Sequence, residues 1–262
     1  MRPIFFIGNK RSGTSHVVRL LNAHPNVHVC YEQDLAWILY QCEKGWWPDL
    51  VGYKYDTPYG MWGALWRCKN YNHFGGINIA NDKHEAIRNA YFKASLALME
   101  DSPSGKFRDA IKWIGDKKPV QNADPEVFDF IRRHFPDAKF IHLIRHVADF
   151  AESTNSRIAC YKHGPKFWYY ERDHLFRMWA IIEGWVLRDK EQAPDCIIDV
   201  RYEDLCSSPV EEMERVFSFL DLEMDSRVER IVSETTTPIP KYDRSVSDFG
   251  SAREIMRAYS YA

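Results

Sequence analysis

A glycine-spaced loop between an apolar run and a helical pattern is the feature that most constrains the fold. The loop spans Gly8–Ser15 with the spacing Gly-x-x-x-x-Gly-Thr-Ser, and the apolar run Ile4–Ile7 precedes it directly. A helical pattern extends from about Gly13 to Asn22 and stops before Pro25. A strand, such a loop and a helix in succession form the phosphate-binding loop (P-loop) of many α/β proteins. The sequence therefore predicts a phosphate cradle here, with an ordinary strand-to-helix turn as the alternative.

The residues of this loop offer an anion several kinds of donor. Glycines let successive backbone N–H groups point inward, and the helix adds its unpaired N–H groups and its positive end. Ser12, Thr14 and Ser15 add hydroxyls, and Lys10 or Arg11 adds charge. Thr14 occupies the position of the P-loop lysine that reaches the β- and γ-phosphates. This substitution argues against a triphosphate ligand, and so against a small-molecule kinase, which would also need an acidic magnesium site.

Short, continuously apolar runs indicate buried parallel strands, because strands covered on both faces do not alternate. Besides a short strand at Val27–Tyr31, the runs are Ile4–Ile7, Ala110–Ile114, Lys139–Ile144 and Cys196–Val200. Helical patterns lie between them, at about 13–22, 82–99, 124–135, 175–186 and 209–220. The alternation predicts an α/β three-layer sandwich with a central parallel sheet. The length of 262 residues favours one domain, residues 1–262.

The composition argues against several other classes of protein. The chain is 45% hydrophobic and 15% aromatic, which allows a full core and excludes disorder or a coiled coil. A net charge of −2 gives no overall attraction to nucleic acid or to an anionic membrane. No apolar stretch approaches the roughly 18 residues of a membrane helix, and the first apolar run is too short for a secretory signal. We therefore expect a cytoplasmic protein, and its six cysteines, which form no Cys-x-x-Cys pair, predict no zinc site.

A second candidate anion site follows the predicted strand Lys139–Ile144. Arg145 comes directly after this strand, and Ser153 lies eight residues further on. The C-terminal ends of parallel strands form the edge where α/β sheets bind ligands. An arginine there can bind a phosphate through two hydrogen bonds, and the serine hydroxyl can complete the contact. Two such sites fit a nucleotide phosphorylated at both 5' and 3', although Arg145 alone could equally form a structural ion pair.

Taken together, these motifs resemble the superfamily of sulfotransferases that use 3'-phosphoadenosine-5'-phosphosulfate (PAPS). The resemblance covers residues 3 to about 222. It rests on Gly8–Ser15, Arg145 with Ser153, Gly115–Pro119, and Arg201–Leu205 followed by Ser208-Pro209 and a helix ending at Phe219-Leu220. It implies the sulfotransferase variant of the P-loop NTPase-like fold. It also implies PAPS as co-substrate, 3',5'-adenosine bisphosphate as product, and no required metal.

The resemblance also implies a role for each matching residue. The 5'-phosphosulfate would be held by the loop residues Lys10, Arg11, Ser12, Gly13, Thr14 and Ser15. Arg145 and Ser153 would hold the 3'-phosphate, and Tyr202 stands where such proteins often approach the adenine.

The chain departs from the family pattern at two positions. His146-Val147 follow Arg145 where the family commonly has Asp-Pro, which bears on how the next helix starts. The segment 241–253 lacks the familiar glycine-rich basic run, and Lys241 or Arg244 is left as the candidate for a further 3'-phosphate contact.

Sulfuryl transfer requires a base for the acceptor proton, an in-line donor and neutralisation of the leaving phosphate. We predict Glu32 as the base, because it follows Val27–Tyr31 and resembles the glutamate that several sulfotransferase groups carry just after the first helix. A partly buried carboxylate with a raised pKa would accept the proton. Alternatively, Glu32 caps the helix that begins near Gln33. Other members of the superfamily use histidine, so the rival candidates are His16, His28 and His73.

Lysines are the candidates for neutralising the leaving phosphate. Lys117 would lie near the bridging oxygen of the donor, and Lys118 is its rival, since only one of two neighbours on an extended segment can point inward. A solvated pair of lysines before Pro119 is the alternative. Lys10 could also serve.

The acceptor is a small molecule, glycan or peptide that the sequence leaves unidentified. An insertion at about 41–75 is rich in aromatic residues, which stack on sugar rings, phenols or apolar chains. We predict that it forms the acceptor wall, with a hydrophobic cluster under a long loop as the alternative. Besides the kinase, the rival function is a nucleotide-binding module without turnover.

Overall fold

The computed structural model describes residues 1–44, 83–100, 105–159, 170–235 and 249–261. Residues 45–75 of the predicted insertion lie outside the described residues, as do His73, Lys241 and Arg244. The assignment of residues 1–262 to a single domain stays a prediction.

Five parallel strands form the central sheet. They are β1 (Arg2–Gly8), β2 (Val27–Tyr31), β3 (Trp113–Lys117), β4 (Lys139–Ile144) and β5 (Ile197–Arg201), in the spatial order β2-β3-β1-β4-β5. Every neighbouring pair is parallel. The predicted α/β architecture with a central parallel sheet is confirmed.

The bounds of two predicted strands were wrong. Residues 108–110 form a 3-10 turn, and the strand predicted at 110–114 lies instead at Trp113–Lys117. Asp116 and Lys117 extend it because β3 pairs with a strand on each side, and those ladders hold polar residues as well as apolar ones. Similarly, Cys196 ends a second 3-10 turn, and β5 begins at Ile197.

Helices connect the strands and cover both faces of the sheet. They are α1 (Thr14–Leu21), α2 (Leu35–Glu43), α3 (Lys83–Glu100), α4 (Pro119–Asn122), α5 (Pro125–His134), α6 (Val147–Ala159), α7 (Arg172–Gln192), α8 (Tyr202–Ser207), α9 (Pro209–Phe219), α10 (Ser226–Glu234) and α11 (Arg253–Ala258). Asp124 caps α5 by accepting from the N–H groups of Glu126 and Val127, and proline fills the first helical position.

Strand β1 shows why the sheet has two hydrophobic faces. Phe5 and Ile7 pack in one core with α2, α3 and α5, whereas Ile4 and Phe6 pack in the other with α1, α9 and α10. Successive side chains of a strand point to opposite faces, so an uninterrupted apolar run satisfies both layers. Since all strands run in one direction, their C-terminal ends meet at one edge, where the candidate site residues lie.

Candidate active site

The loop after β1 has the backbone conformation of an anion cradle. Gly8, Arg11 and Gly13 all have positive φ, at 107°, 68° and 94°. A Cβ at Gly13 would lie 2.4 Å from Cδ2 of Tyr202, so glycine is required there both by conformation and by space. Helix α1 starts directly after Gly13 with no side-chain cap on its first N–H groups. As a glycine, the N-cap residue supplies no side chain that would compete with an anion for these groups.

The loop side chains differ in exposure. Ser12 is fully buried, and within the described part of the chain its Oγ has no hydrogen-bond partner. Thr14 is buried, whereas Lys10, Arg11 and Ser15 are exposed. The loop thus combines a hydroxyl held inside the turn with charged groups at its rim.

Arg145 lies directly against this loop. Its Nη1 donates to the carbonyl oxygen of Arg11 at 3.3 Å, and the Arg11 Nε donates to Ser153 Oγ at 3.3 Å. The Arg145 guanidinium also lies 4.4 Å from the centre of the Tyr202 ring, which lies beside Gly13. Strands β1 and β4 are neighbours in the sheet, which explains why the two predicted anion sites meet. Their roles in binding stay predictions.

Lys117 and Glu32 form an ion pair on the other side of the loop. Lys117 Nζ lies 2.6 Å from Glu32 Oε1 and donates to Ser15 Oγ at 3.2 Å. The Lys117 side chain is 4% exposed and that of Glu32 is 52% exposed. Lys118 turns away and pairs with Asp34 at 2.8 Å. Of the two lysines, Lys117 is the one that faces the loop.

The pKa of Glu32 is shifted in the direction opposite to the one expected. Partial burial raises this pKa, but the hydrogen bond and positive charge of Lys117, together with the charges of Lys118 and Arg11, outweigh burial and bring it below its ordinary value. The prediction of a raised pKa is therefore wrong for this state of the site. Glu32 is ionised at neutral pH and able to accept a proton, although as a weaker base than a carboxylate without a cationic partner.

Two of the rival histidines lie within the described residues. His16 is half-buried beside Arg19, and both burial and that guanidinium lower its pKa. Burial lowers the pKa of His28 to about 4, with a further contribution from Lys106. Lys106 binds the carbonyl groups of His24 and Val27, at the opposite end of β2 from Glu32. The charged group that acts on His28 thus lies at the end of β2 that is remote from the loop.

Asp116 takes the capping role that was the alternative for Glu32. Its carboxylate accepts from the N–H groups of Gln33 at 2.9 Å and Leu35 at 3.0 Å, where α2 begins. Burial raises the pKa of Asp116 to about 6. Asp116 stands within the Gly115–Pro119 motif, but its partners are about 80 residues away in sequence, so its capping role was not predicted.

A buried network beneath the loop was also missed. Asn9 Nδ2 donates to Glu183 Oε1 at 2.8 Å, and the His142 ring bridges Glu183 Oε2 at 2.7 Å and Asp199 Oδ1 at 2.8 Å. Burial lowers the pKa of His142, but the two carboxylates outweigh it and raise that pKa to about 9. A Cβ at Gly8 would meet Cδ2 of this ring at 2.8 Å. The only sequence signal was polar residues at positions that the strand and helix patterns bury.

The described residues lack two other features. They contain no group of three or more His, Cys, Asp or Glu side chains placed to hold a metal ion. Among their helices, none is both long and apolar enough to cross a membrane.

Comparisons with known proteins point to one family. A model of the sulfotransferase family matches residues 3–226. A Caenorhabditis briggsae protein named "Putative protein-tyrosine sulfotransferase" is 25% identical over 232 residues, which cover 86% of this chain and 67% of that protein.

Solved structures show the same fold. The sulfotransferase domain of the Synechococcus PCC 7002 olefin synthase has a TM-score of 0.59 at 15% identity, covering 100% of this chain and 95% of that domain. The sulfotransferase domain from the curacin biosynthetic pathway has a TM-score of 0.60 at 14% identity, covering 100% and 99%.

Proposed function

The chain belongs to the sulfotransferase family, and from this premise we propose that it transfers a sulfuryl group from PAPS to a hydroxyl or amine acceptor. The observation that carries the proposal is the 3.3 Å contact between Arg145 and the carbonyl of Arg11. It puts a guanidinium and a P-loop-like cradle side by side at one sheet edge. A doubly phosphorylated adenosine needs two such anion sites within the length of one nucleotide.

The donor would be held mainly by the loop and by β4. Backbone N–H groups near Gly13 and the hydroxyls of Ser12, Thr14 and Ser15 would bind the 5'-phosphosulfate, with Lys10 and Arg11 at the rim. Arg145 and Ser153 would bind the 3'-phosphate. Tyr202 would approach the adenine, as the family resemblance implies, and its 7% exposure limits the area that the base could contact. The buried Ser12 hydroxyl and the uncapped start of α1 fit such a ligand.

The transfer step uses the pair on the other side of the loop. Glu32 accepts the proton of the acceptor O–H or N–H while that atom forms a bond to sulfur. The bond between sulfur and the phosphate oxygen breaks in line, and the electron pair leaves with 3',5'-adenosine bisphosphate. Lys117 neutralises the charge that grows on this oxygen, with Lys10 as a second candidate. Glu32 then releases its proton to water.

The Lys117–Glu32 contact gives this step a built-in order. When Lys117 turns to the donor phosphate, Glu32 loses the hydrogen bond that lowers its pKa, while its partial burial remains. The carboxylate then becomes a stronger base at the point when an acceptor proton must be removed. Donor binding would in this way prepare the base.

Donor binding can be tested without knowledge of the acceptor. We expect 3',5'-adenosine bisphosphate, with a chelator present, to raise the melting temperature by about 5–10 °C at a hundredfold excess over its dissociation constant. ATP with magnesium serves as the control. Stabilisation by ATP with magnesium and none by the bisphosphate would support the kinase alternative instead.

Turnover requires a panel of acceptors. We would follow transfer of labelled sulfate from PAPS to phenols, sugars, amines and tyrosine-containing peptides, the last suggested by the name of the Caenorhabditis relative. Glu32→Gln should lower kcat by about 10²–10⁴-fold without weakening bisphosphate binding, because it leaves Lys117 available to the phosphate. Bisphosphate binding without transfer to any acceptor would support the binding module.

A further inference from the structure

The turn that carries Arg145 contacts a pair of distant residues on both of its sides. On one side, the N–H of His146 donates to Glu203 Oε1 at 3.1 Å. On the other, the hydroxyl of Tyr261 lies 3.5 Å from the carbonyl oxygen of Ile144. The same hydroxyl donates to Glu203 Oε2 at 2.6 Å, which closes the arrangement. The backbone groups that flank Arg145 thus contact one hydrogen-bonded Glu203–Tyr261 pair.

The environment fixes the charge state and position of this pair. Burial and the charge of Glu203 raise the pKa of Tyr261, so its hydroxyl stays protonated and donates. The Arg201 guanidinium lies 4.4 Å from the centre of the Tyr261 ring, and the His146 ring meets that ring edge-on at 5.5 Å. Glu203 is buried at 8% exposure. A short hydrogen bond between a neutral donor and a buried carboxylate restricts both side chains.

The pair also accounts for how α6 begins without the Asp-Pro of the family pattern. The His146 N–H is bound by Glu203, and the Ala148 N–H donates to His146 Nδ1 at 3.2 Å. Glu203 follows Tyr202, whose ring lies against the Arg145 guanidinium. The main chain next to Arg145 and the ring beneath it are therefore both tied to Glu203.

We propose that Tyr261, acting through Glu203, is a positioning residue that sets the orientation of Arg145 for a 3'-phosphate. This inference rests on the proposed function, in which Arg145 binds that phosphate. Tyr261 follows α11, after the segment where the family's glycine-rich basic run is missing. In this chain Tyr261 would serve the 3'-phosphate indirectly, through Arg145.

The test compares two ligands that differ in one phosphate. Titration calorimetry would measure the affinities of 3',5'-adenosine bisphosphate and adenosine 5'-monophosphate for the wild type and for Tyr261→Phe. We expect the variant to bind the bisphosphate about three- to tenfold more weakly, and the monophosphate unchanged. The effect should be smaller than full loss of a hydrogen bond to a charged group, because it is transmitted through Arg145.

A neighbouring tyrosine provides a matched control. Tyr259 is buried two residues earlier, and its hydroxyl has no hydrogen-bond partner within the described residues. Tyr259→Phe should leave both affinities unchanged. A loss of bisphosphate affinity as large as that of Tyr261→Phe would show a general packing effect and overturn the proposal.

A double-mutant cycle with Arg145→Ala identifies the route. If Tyr261 acts through Arg145, Tyr261→Phe has no further effect on bisphosphate affinity when Arg145 is absent. Additive losses would overturn the positioning role, as would a Tyr261→Phe variant with the wild-type preference for the bisphosphate. A wild type that binds the two ligands equally would refute the 3'-phosphate assignment itself, and the inference with it.

Discussion

Replacing His142 tests the buried network that lies under the phosphate loop. His142 and Glu183 are fully buried, so His142→Gln leaves the Glu183 carboxylate without its cationic partner. Removing one partner of a buried pair costs about 3–5 kcal/mol. We expect the lower end, about 3 kcal/mol, because Glu183 keeps its bond from Asn9 and Asp199 keeps its pair with Lys190. For a chain of this size that corresponds to a decrease in melting temperature of about 6–12 °C.

The pH dependence provides an independent measure of the same interaction. The pKa of His142 rises from 6.5 to about 9 on folding, so the folded state binds the proton more tightly. The resulting stabilisation is complete below about pH 6.5 and is lost as the pH rises through 9. At about 1.4 kcal/mol per pKa unit it amounts to roughly 3 kcal/mol, which agrees with the value from charge removal.

Urea unfolding of the wild type and His142→Gln at pH 6.5 and pH 9.5 would check both values. The difference in unfolding free energy should be about 3 kcal/mol at the lower pH and close to zero at the higher one. His134→Gln is the control, because burial lowers the pKa of His134 and the residue should not contribute to a loss of stability above pH 6.5. A difference for His142→Gln that is the same at both pH values would refute the reasoning.

Two further substitutions test the loop and the candidate base. Gly13→Ala should destabilise the fold by about 2–4 kcal/mol, since it combines a φ of 94° with a Cβ 2.4 Å from the Tyr202 ring; unchanged urea unfolding would contradict that packing. Lys117→Met should raise the pKa of Glu32, measured by NMR titration of its carboxyl group, because the variant loses the Lys117 hydrogen bond and charge that oppose the effect of burial. Lys118→Met should raise it less, since Lys118 pairs with Asp34, and equal shifts would show that the Lys117 contact is not the main cause.

Much of the fold could be predicted from local patterns. The apolar runs indicated the five parallel strands, because a strand covered on both faces is mostly apolar along its length. Strand β3 was misplaced because Asp116 and Lys117 are polar, although both are buried by the strands on either side. Apolarity in a single segment does not report which neighbours that segment will have.

The candidate site, like the fold, could be predicted only in part. Gly8–Ser15 and Arg145 were identified from their positions after strands, since parallel strands bring such positions to one edge. The partner of Lys117 and the Asp116 cap on α2 were not predicted, and the direction predicted for the Glu32 pKa shift was wrong. Each depends on a contact between residues that lie 81 to 102 positions apart in the chain.

Residue type and spacing therefore establish which chemical groups this protein has and the sheet edge at which they gather. Packing establishes which groups touch, and with that their charge and basicity. The physical reason is range: backbone conformation and apolar periodicity act over a few neighbouring residues, whereas a hydrogen bond or a buried charge depends on atoms a few ångströms away in space, whatever their separation along the chain.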